Sequence, residues 1–240
     1  MSNTRVRATV TGAVCLAWIA PAFAQPPSPP TAPLEIYHVH VVKAAAGKLP
    51  ELIEAYKNAV PPDPGDPQVS PIVLRHREGG EWDLIVITPR GKDHTLRSDA
   101  PPQPVQDFNQ RIIPITDWHA DTFAVGPTWD IVQKALVPAR AAQAVYVVTD
   151  SRAITGHRSQ LRQTLDRIGE QASGRNVVFA HIEGQPWNFL SVTRYDSWAD
   201  LGQQQTAPAG PQDPSLDLRR DMAVHNDTVA TWVGGGEARR

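Results

Sequence analysis

The stretches His76-Arg77-Glu78-Gly79-Gly80-Glu81-Trp82 and His181-Ile182-Glu183-Gly184-Gln185-Pro186-Trp187 share the skeleton H-x-E-G-x-x-W. Each has a threonine six places after its tryptophan, Thr88 and Thr193. Apolar runs flank both: Ile72-Val73-Leu74 and Leu84-Ile85-Val86-Ile87 around the first, Val177-Val178-Phe179 and Phe189-Leu190-Ser191-Val192 around the second. Two strand-like runs about a glycine-bearing turn spell a β-hairpin, because glycine supplies the positive φ that a tight turn needs. The chain carries this hairpin twice.

Working outward, the repeat extends on both sides. Upstream, IYHVHVV (36–42) matches VYVVTDS (145–151), aligning Tyr37 with Tyr146 and Gly47 with Gly156 without a gap. Each glycine leads into a helix-period pattern. Leu49, Leu52, Ile53, Tyr56 and Val60 share one face in the first copy, and Leu161, Leu165 and Ile168 do so in the second. Downstream, His119-Ala120-Asp121-Thr122-Phe123-Ala124 corresponds to His225-Asn226-Asp227-Thr228-Val229-Ala230, with histidine 37 and 38 positions after tryptophan. Four landmarks in one order at nearly constant spacing indicate duplication.

Each copy reads β–α–β–β–α–β. The second helix is expected at about 104–113 in the first copy and in the broken stretch 197–222 in the second. Pro101, Pro102, Pro104, Pro208, Pro211 and Pro214 interrupt these regions. The last strands are expected at about 121–125 and 227–233. The layout is then a leader (1–24), a proline-rich tether (25–33), unit one (34–125), a linker (126–143), unit two (144–233) and a tail (234–240).

The leader has Arg5 and Arg7, an apolar run over 8–20 and the small-residue site Ala22-Phe23-Ala24. The run is shorter than the ~20 residues that span a bilayer, so it reads as a cleavable signal peptide with cleavage before Gln25. The expected location is periplasmic or secreted. Cys15, the sole cysteine, lies in this leader. The mature chain would therefore have no disulfide, thiolate nucleophile or cysteine-ligated metal. About 200 residues remain, one large domain or two small ones. Loss of Arg5 and Arg7 takes the 23 basic residues to 21 against 25 acidic ones, a net charge of −4. With no basic stripe, nucleic acid is excluded as a partner, and no membrane span is expected in the mature chain.

The repeated β–α–β–β–α–β order is the ferredoxin-like split βαβ. The long first helix, the hairpin with an aromatic at its second strand and the tandem copy resemble the dimeric α+β-barrel superfamily. That group includes small antibiotic-biosynthesis-type monooxygenases, muconolactone-isomerase-like enzymes and haem-binding branches. The resemblance covers nearly all of 34–233 and lies in pattern and order. It implies an α+β fold of two ferredoxin-like units in tandem, a pseudo-dimeric barrel in one chain that is a monomer or homodimer. It also implies that a small ligand binds between a sheet and its helices or inside the barrel.

His38 and His40 are two apart on the first strand and so share a face. Tyr37, Val39 and Val41 share the other, expected to pack on the helices. The second copy has Val147 and Thr149 in place of the histidines. An H-x-H on a strand offers two imidazoles to one metal, but no third ligand is near in sequence, so no metal site is assigned and no cofactor is named. With Gly79-Gly80 as the turn, Arg77 faces Trp82, Arg75 faces Leu84 and His76 faces Asp83. Ile72, Leu74, Ile85 and Ile87 would pack on the helices, with His76 and Asp83 at that rim. Arg75, replaced by Ala180 in the second copy, would place a cation on the histidine face, suited to an anionic or enolate-like ligand.

The candidate catalytic residues are thus His40 as base or ligand, His38 in support and Arg75 steadying negative charge. Trp82 would form a stacking wall, with Arg77, His76 and Asp83 as further ligand contacts. The expected function is an exported small-molecule-binding barrel, a cofactor-free monooxygenase or isomerase for a hydrophobic, weakly acidic substrate. Two alternatives stay open. One is a haem- or metal-binding barrel using His225, His119 or His40. The other is a non-catalytic envelope or assembly protein, consistent with motifs kept in both copies.

Overall fold

A β-branched and aromatic run, a positive-φ glycine and an amphipathic helix open each half of the chain. In the computed structural model, which describes residues 33–59, 70–91, 103–206, 210 and 213–235, the elements follow in this order. β1 (Leu34–Ala44), α1 (Leu49–Ala59), β2 (Ile72–Glu78), β3 (Leu84–Gly91), α2 (Gln103–Ile112) and β4 (Thr116–Pro127) form the first half. α3 (Trp129–Leu136) connects it to β5 (Val145–Ala153), α4 (Arg158–Gln171), β6 (Asn176–Glu183), β7 (Phe189–Tyr195), α5 (Trp198–Thr206), α6 (Ser215–Asp221) and β8 (Met222–Gly234). The leader, the tether up to residue 32, Val60, Pro101, Pro102, Pro208 and Pro211 lie outside the described residues. Among the described residues no helix is long and apolar enough to cross a membrane.

The eight strands close into one antiparallel barrel in the order β1-β3-β2-β8-β5-β7-β6-β4. The first half contributes the run β4-β1-β3-β2 and the second β8-β5-β7-β6, with seams at β2/β8 and β4/β6. Closure removes every free strand edge within a single chain.

The barrel strands are buried on two sides. Inside, Tyr37, Val39, Ile72, Leu74, Ile85 and Ile87 meet Tyr146, Val148, Phe179 and Val192 of the other half. Outside, Val42, Val73, Leu84 and Val86 lie under Leu52 and Tyr56 of α1 and Phe108 and Ile112 of α2. On the second half, Leu161 and Leu165 cover Val178 and Phe189, and Leu201 covers Val145 and Tyr195.

This arrangement reverses the expected faces. Tyr37, Val39 and Val41, and likewise Ile72, Leu74, Ile85 and Ile87, belong to the barrel interior and not to the helix-packed side. The histidine face is the one covered by α1 and α2. The physical reason is that an enclosed interior between two sheet halves tolerates only apolar side chains, whereas a helix-covered outer face is partly open and accepts polar ones. Alternation alone does not say which apolar face points inward.

The linker region carries the helix α3, which the sequence reading did not anticipate. Its Trp129, Val132, Ala135 and Leu136 join the interior cluster. The aligned tyrosines bracket it: the Tyr37 hydroxyl donates to the Pro127 carbonyl, and that of Tyr146 to the Leu136 carbonyl at 2.7 Å. The Glu35 carboxylate accepts the Trp129 N–H at 2.9 Å, placing negative charge at the helix start where the dipole favours it. At eight residues between Pro127 and Pro138, α3 is too short to announce itself by periodicity.

The duplicated motifs are reciprocal joints. The Gly80 N–H donates to Thr228 Oγ1 (3.0 Å), and the Gln185 N–H donates to Thr122 Oγ1 (3.3 Å). Both threonines are buried. Gly79 (φ +110°) and Gly184 (φ +114°) lie so close to the facing strand that a Cβ would be 2.2 Å from the Asp227 carbonyl oxygen and 2.3 Å from that of Asp121. The hairpin tip of each half thus docks on the last strand of the other.

Candidate functional site

The pairing of β1 with β4 sets His40 opposite Asp121 and His38 opposite Phe123. Asp121 Oδ1 lies 2.7 Å from His38 Nε2 and 2.8 Å from His40 Nδ1. For both contacts to be hydrogen bonds, each of those nitrogens must carry its proton and donate to the same oxygen. The other nitrogen of His40, Nε2, is 2.9 Å from the Tyr56 hydroxyl on α1. His119, two residues before Asp121 on the same face, brings its Nε2 within 3.5 Å of Asp121 Oδ2. Three imidazoles and one phenol are gathered around one carboxylate.

Burial works to raise the Asp121 pKa, but the hydrogen bonds from His38 and His40 and their positive charge outweigh it. The carboxyl is held well below the usual carboxylate range. Tyr56 is pushed the other way, first by burial and then by the Asp121 charge, so its phenol stays a neutral hydroxyl far above its ordinary range.

This cluster lines a cavity of about 530 Å³ between the outer face of β1, β3 and β4 and the helices α1 and α2. Val42, Val86, Phe108, Ile112 and Ile113 supply apolar wall, while Arg90 and Asn109 add polar groups. Phe108 stands edge-on to Tyr56, ring centroids 5.2 Å apart. The size and the mix of apolar wall with a few converging polar groups are those of a small-molecule site, typically ~300–1,000 Å³. In the second half, Val147 packs with Val145, Tyr195 and Leu201. There Thr149 donates to Asp227 Oδ1 at 2.6 Å, and His225 lies 3.6 Å from Asp227. The carboxylate is kept in both halves; the paired imidazoles are not.

Of the expected site residues, His38 and His40 line the cavity and the others do not. Arg75 sits on β2 opposite Leu84 and Thr231, away from the cavity wall. Trp82 packs against the interior cluster and beside His76 (5.7 Å between rings), away from the wall of this cavity. Arg77 donates to Thr231 Oγ1, and Asp83 accepts the Ala44 N–H at 2.8 Å. Arg77 and Asp83 thus tie neighbouring strands together. Burial lowers the pKa of His76, and equally that of His181 beside Trp187.

Asp121, Tyr56 and Arg90 were not among the expected site residues, and His119 was expected only as a haem or metal ligand. A signal for Asp121 and His119 existed: in the ferredoxin-like order the last strand neighbours the first, which brings His119-x-Asp121 alongside His38-x-His40, Asp121 opposite His40 and His119 opposite Val42. Arg90, two residues beyond Thr88 on β3, places a cation on the cavity wall where Arg75 does not.

No family model matches the sequence, and no curated protein matches it. Solved structures do. A candidate monooxygenase from Lactobacillus acidophilus superposes with TM-score 0.59 at 9% identity, covering 85% of this chain and 97% of that one. An anthrone oxidase-like protein gives 0.58 at 14% identity, covering 87% and 98%. A candidate monooxygenase from Fusobacterium nucleatum gives 0.57 at 13%, covering 87% and 95%. At such identities the likeness is one of fold.

Proposed function

We propose that the protein is an exported small-molecule-binding α+β barrel of two fused ferredoxin-like units. Its first-half cavity takes a hydrophobic, weakly acidic substrate for monooxygenase- or isomerase-type chemistry without an organic cofactor. The observation that carries this reading is the Asp121–His40–Tyr56 chain opening on a largely apolar cavity. A phenolic or enolisable substrate would set its acidic group against the His40–Tyr56 end and its rings against Phe108 and Ile112. His40 takes the proton, directly or through the Tyr56 hydroxyl, and ionised Asp121 stabilises the resulting imidazolium. The Arg90 charge lies on the same wall for the anion that forms. Such an anion is electron-rich enough to react with dioxygen, or reprotonates at another carbon in an isomerisation. The names of the monooxygenase and anthrone oxidase-like neighbours support the same class of chemistry.

The test is a titration with 1-naphthol, a hydrophobic weak acid, read by fluorescence on the parent, His40→Ala and Tyr56→Phe. Oxygen uptake is measured with a panel of hydroxylated polycyclic aromatics. Loss of a general base typically costs ~10²–10⁴ in rate, so His40→Ala should abolish measurable turnover while keeping its melting temperature. Unchanged binding and turnover in both variants would remove the reading.

A further inference from the structure

The geometry points to a site for one divalent first-row transition-metal ion, formed by His38 Nε2, His40 Nδ1 and a carboxylate oxygen of Asp121. The three donor atoms lie within 4.8 Å of one another, and both imidazoles are aimed at a single oxygen. An ion at about 2.0–2.2 Å from each donor needs donor separations only slightly longer than these contacts, so small rotations of the side chains would admit it. Two imidazoles and one carboxylate on one side of an ion leave its remaining positions open, the arrangement of reactive sites and not of closed structural ones. The open side faces the cavity.

Support around the donors is in place. The second nitrogen of His40 is engaged by Tyr56, and the second oxygen of Asp121 is near His119. Such partners fix ring orientation and raise ligand basicity. Adjacent barrel strands carry all three donors, and the close approach of Gly184 to the Asp121 carbonyl pins the strand from the other side. The second half supplies an internal comparison. It keeps Asp227 and His225 at the matching positions but has Val147 and Thr149 where the two ligands stand, so the fold itself does not require the histidine pair.

With His40 engaged as a ligand, the ion would receive the oxygen of the weakly acidic substrate and hold it as the anion, the proton passing to His119 on the same cavity wall, and so take over the charge-stabilising part given above to Arg90. This rests on the first-half cavity being the substrate site, although the ion site itself does not.

The experiment uses the purified protein after chelator treatment, titrated anaerobically with cobalt(II) and read by its visible absorption, with zinc(II) calorimetry alongside. One ion per chain is expected. His38→Ala, His40→Ala and Asp121→Asn should each weaken it at least tenfold, and His225→Ala should leave it unchanged. Addition of 1-naphthol should shift the cobalt bands of the parent. If the folded parent binds cobalt(II) no more tightly than the His38→Ala/His40→Ala double variant, the metal site is wrong. The two readings fail separately: 1-naphthol bound by the chelator-treated protein without any cobalt(II) site overturns only the ion. Cobalt(II) bound through the three donors without 1-naphthol in the cavity upholds the ion and overturns the substrate pocket.

Discussion

Gly184→Ala should damage both the fold and the site, and the structure says by how much. At φ +114° an alanine is held in a region L side chains avoid, which costs about 1–3 kcal/mol. Its methyl would also lie 2.3 Å from the Asp121 carbonyl oxygen and 2.9 Å from Thr122 Cα, backbone atoms that cannot swing aside. Overpacking of that kind costs a further ~1–3 kcal/mol. The sum, about 4 kcal/mol, corresponds to a drop of roughly 8–16 °C in melting temperature for a chain of this size. Gly47→Ala is the control. Gly47 also has positive φ (+75°) but nothing lies within 4 Å of its would-be Cβ, so about 1–2 kcal/mol and only a few degrees are expected. Function separates the two joints. Gly184 presses on Asp121, which organises His38 and His40, whereas Gly79 presses on Asp227 in the half without them. Gly184→Ala and Gly79→Ala should melt alike by calorimetry, yet only Gly184→Ala should lose 1-naphthol binding at a temperature where both are folded. The reasoning is refuted if Gly184→Ala melts like Gly47→Ala, or if the two joint variants lose the ligand equally.

Thr228→Val removes the acceptor of the Gly80 N–H while nearly conserving volume; an unpaired buried group costs ~1–3 kcal/mol, read as a lower urea midpoint. Acid should also destabilise the protein through His76 and His181. Burial lowers both pKa values from 6.5, so the unfolded chain takes up protons more readily than the folded one. Their contribution is complete above pH 6.5 and is lost as the pH falls from there through the folded-state values. The double variant His76→Gln/His181→Gln should flatten the fall in urea midpoint between pH 7.5 and pH 5.

The barrel's strands and most helices were legible because hairpin tips, glycines and helical periods recur in a fixed order. Leu52 and Tyr56, and Leu161 and Leu165, are buried as their spacing implied. The faces were not legible. Strands such as β1 are covered on both sides, so the apolar set Tyr37-x-Val39-x-Val41 looked like a helix-packing face when it lines the interior. That error also displaced the site. Trp82 seemed to accompany the inward-assigned histidines but joins the interior cluster instead; Arg75 does share their sheet face yet stands two strands away on β2, while the helix side brings Tyr56 and Arg90. Asp121 was visible as half of a repeated His-x-Asp, and its repetition argued for a structural part. It has both parts. Its carbonyl and the next residue's hydroxyl serve the joint, as at Asp227, and only its carboxylate meets two histidines.

The most direct test of the first-half cavity as the ligand site is a crystal structure of the protein with 1-naphthol bound. The ring is expected between Phe108 of α2 and the outer face of β1 and β3, with its oxygen at the His40–Tyr56 end. The second half, where Leu201 packs on Val147, should hold none. A ligand inside the barrel among Tyr37, Tyr146 and Phe179, or equally in both halves, would contradict the assignment.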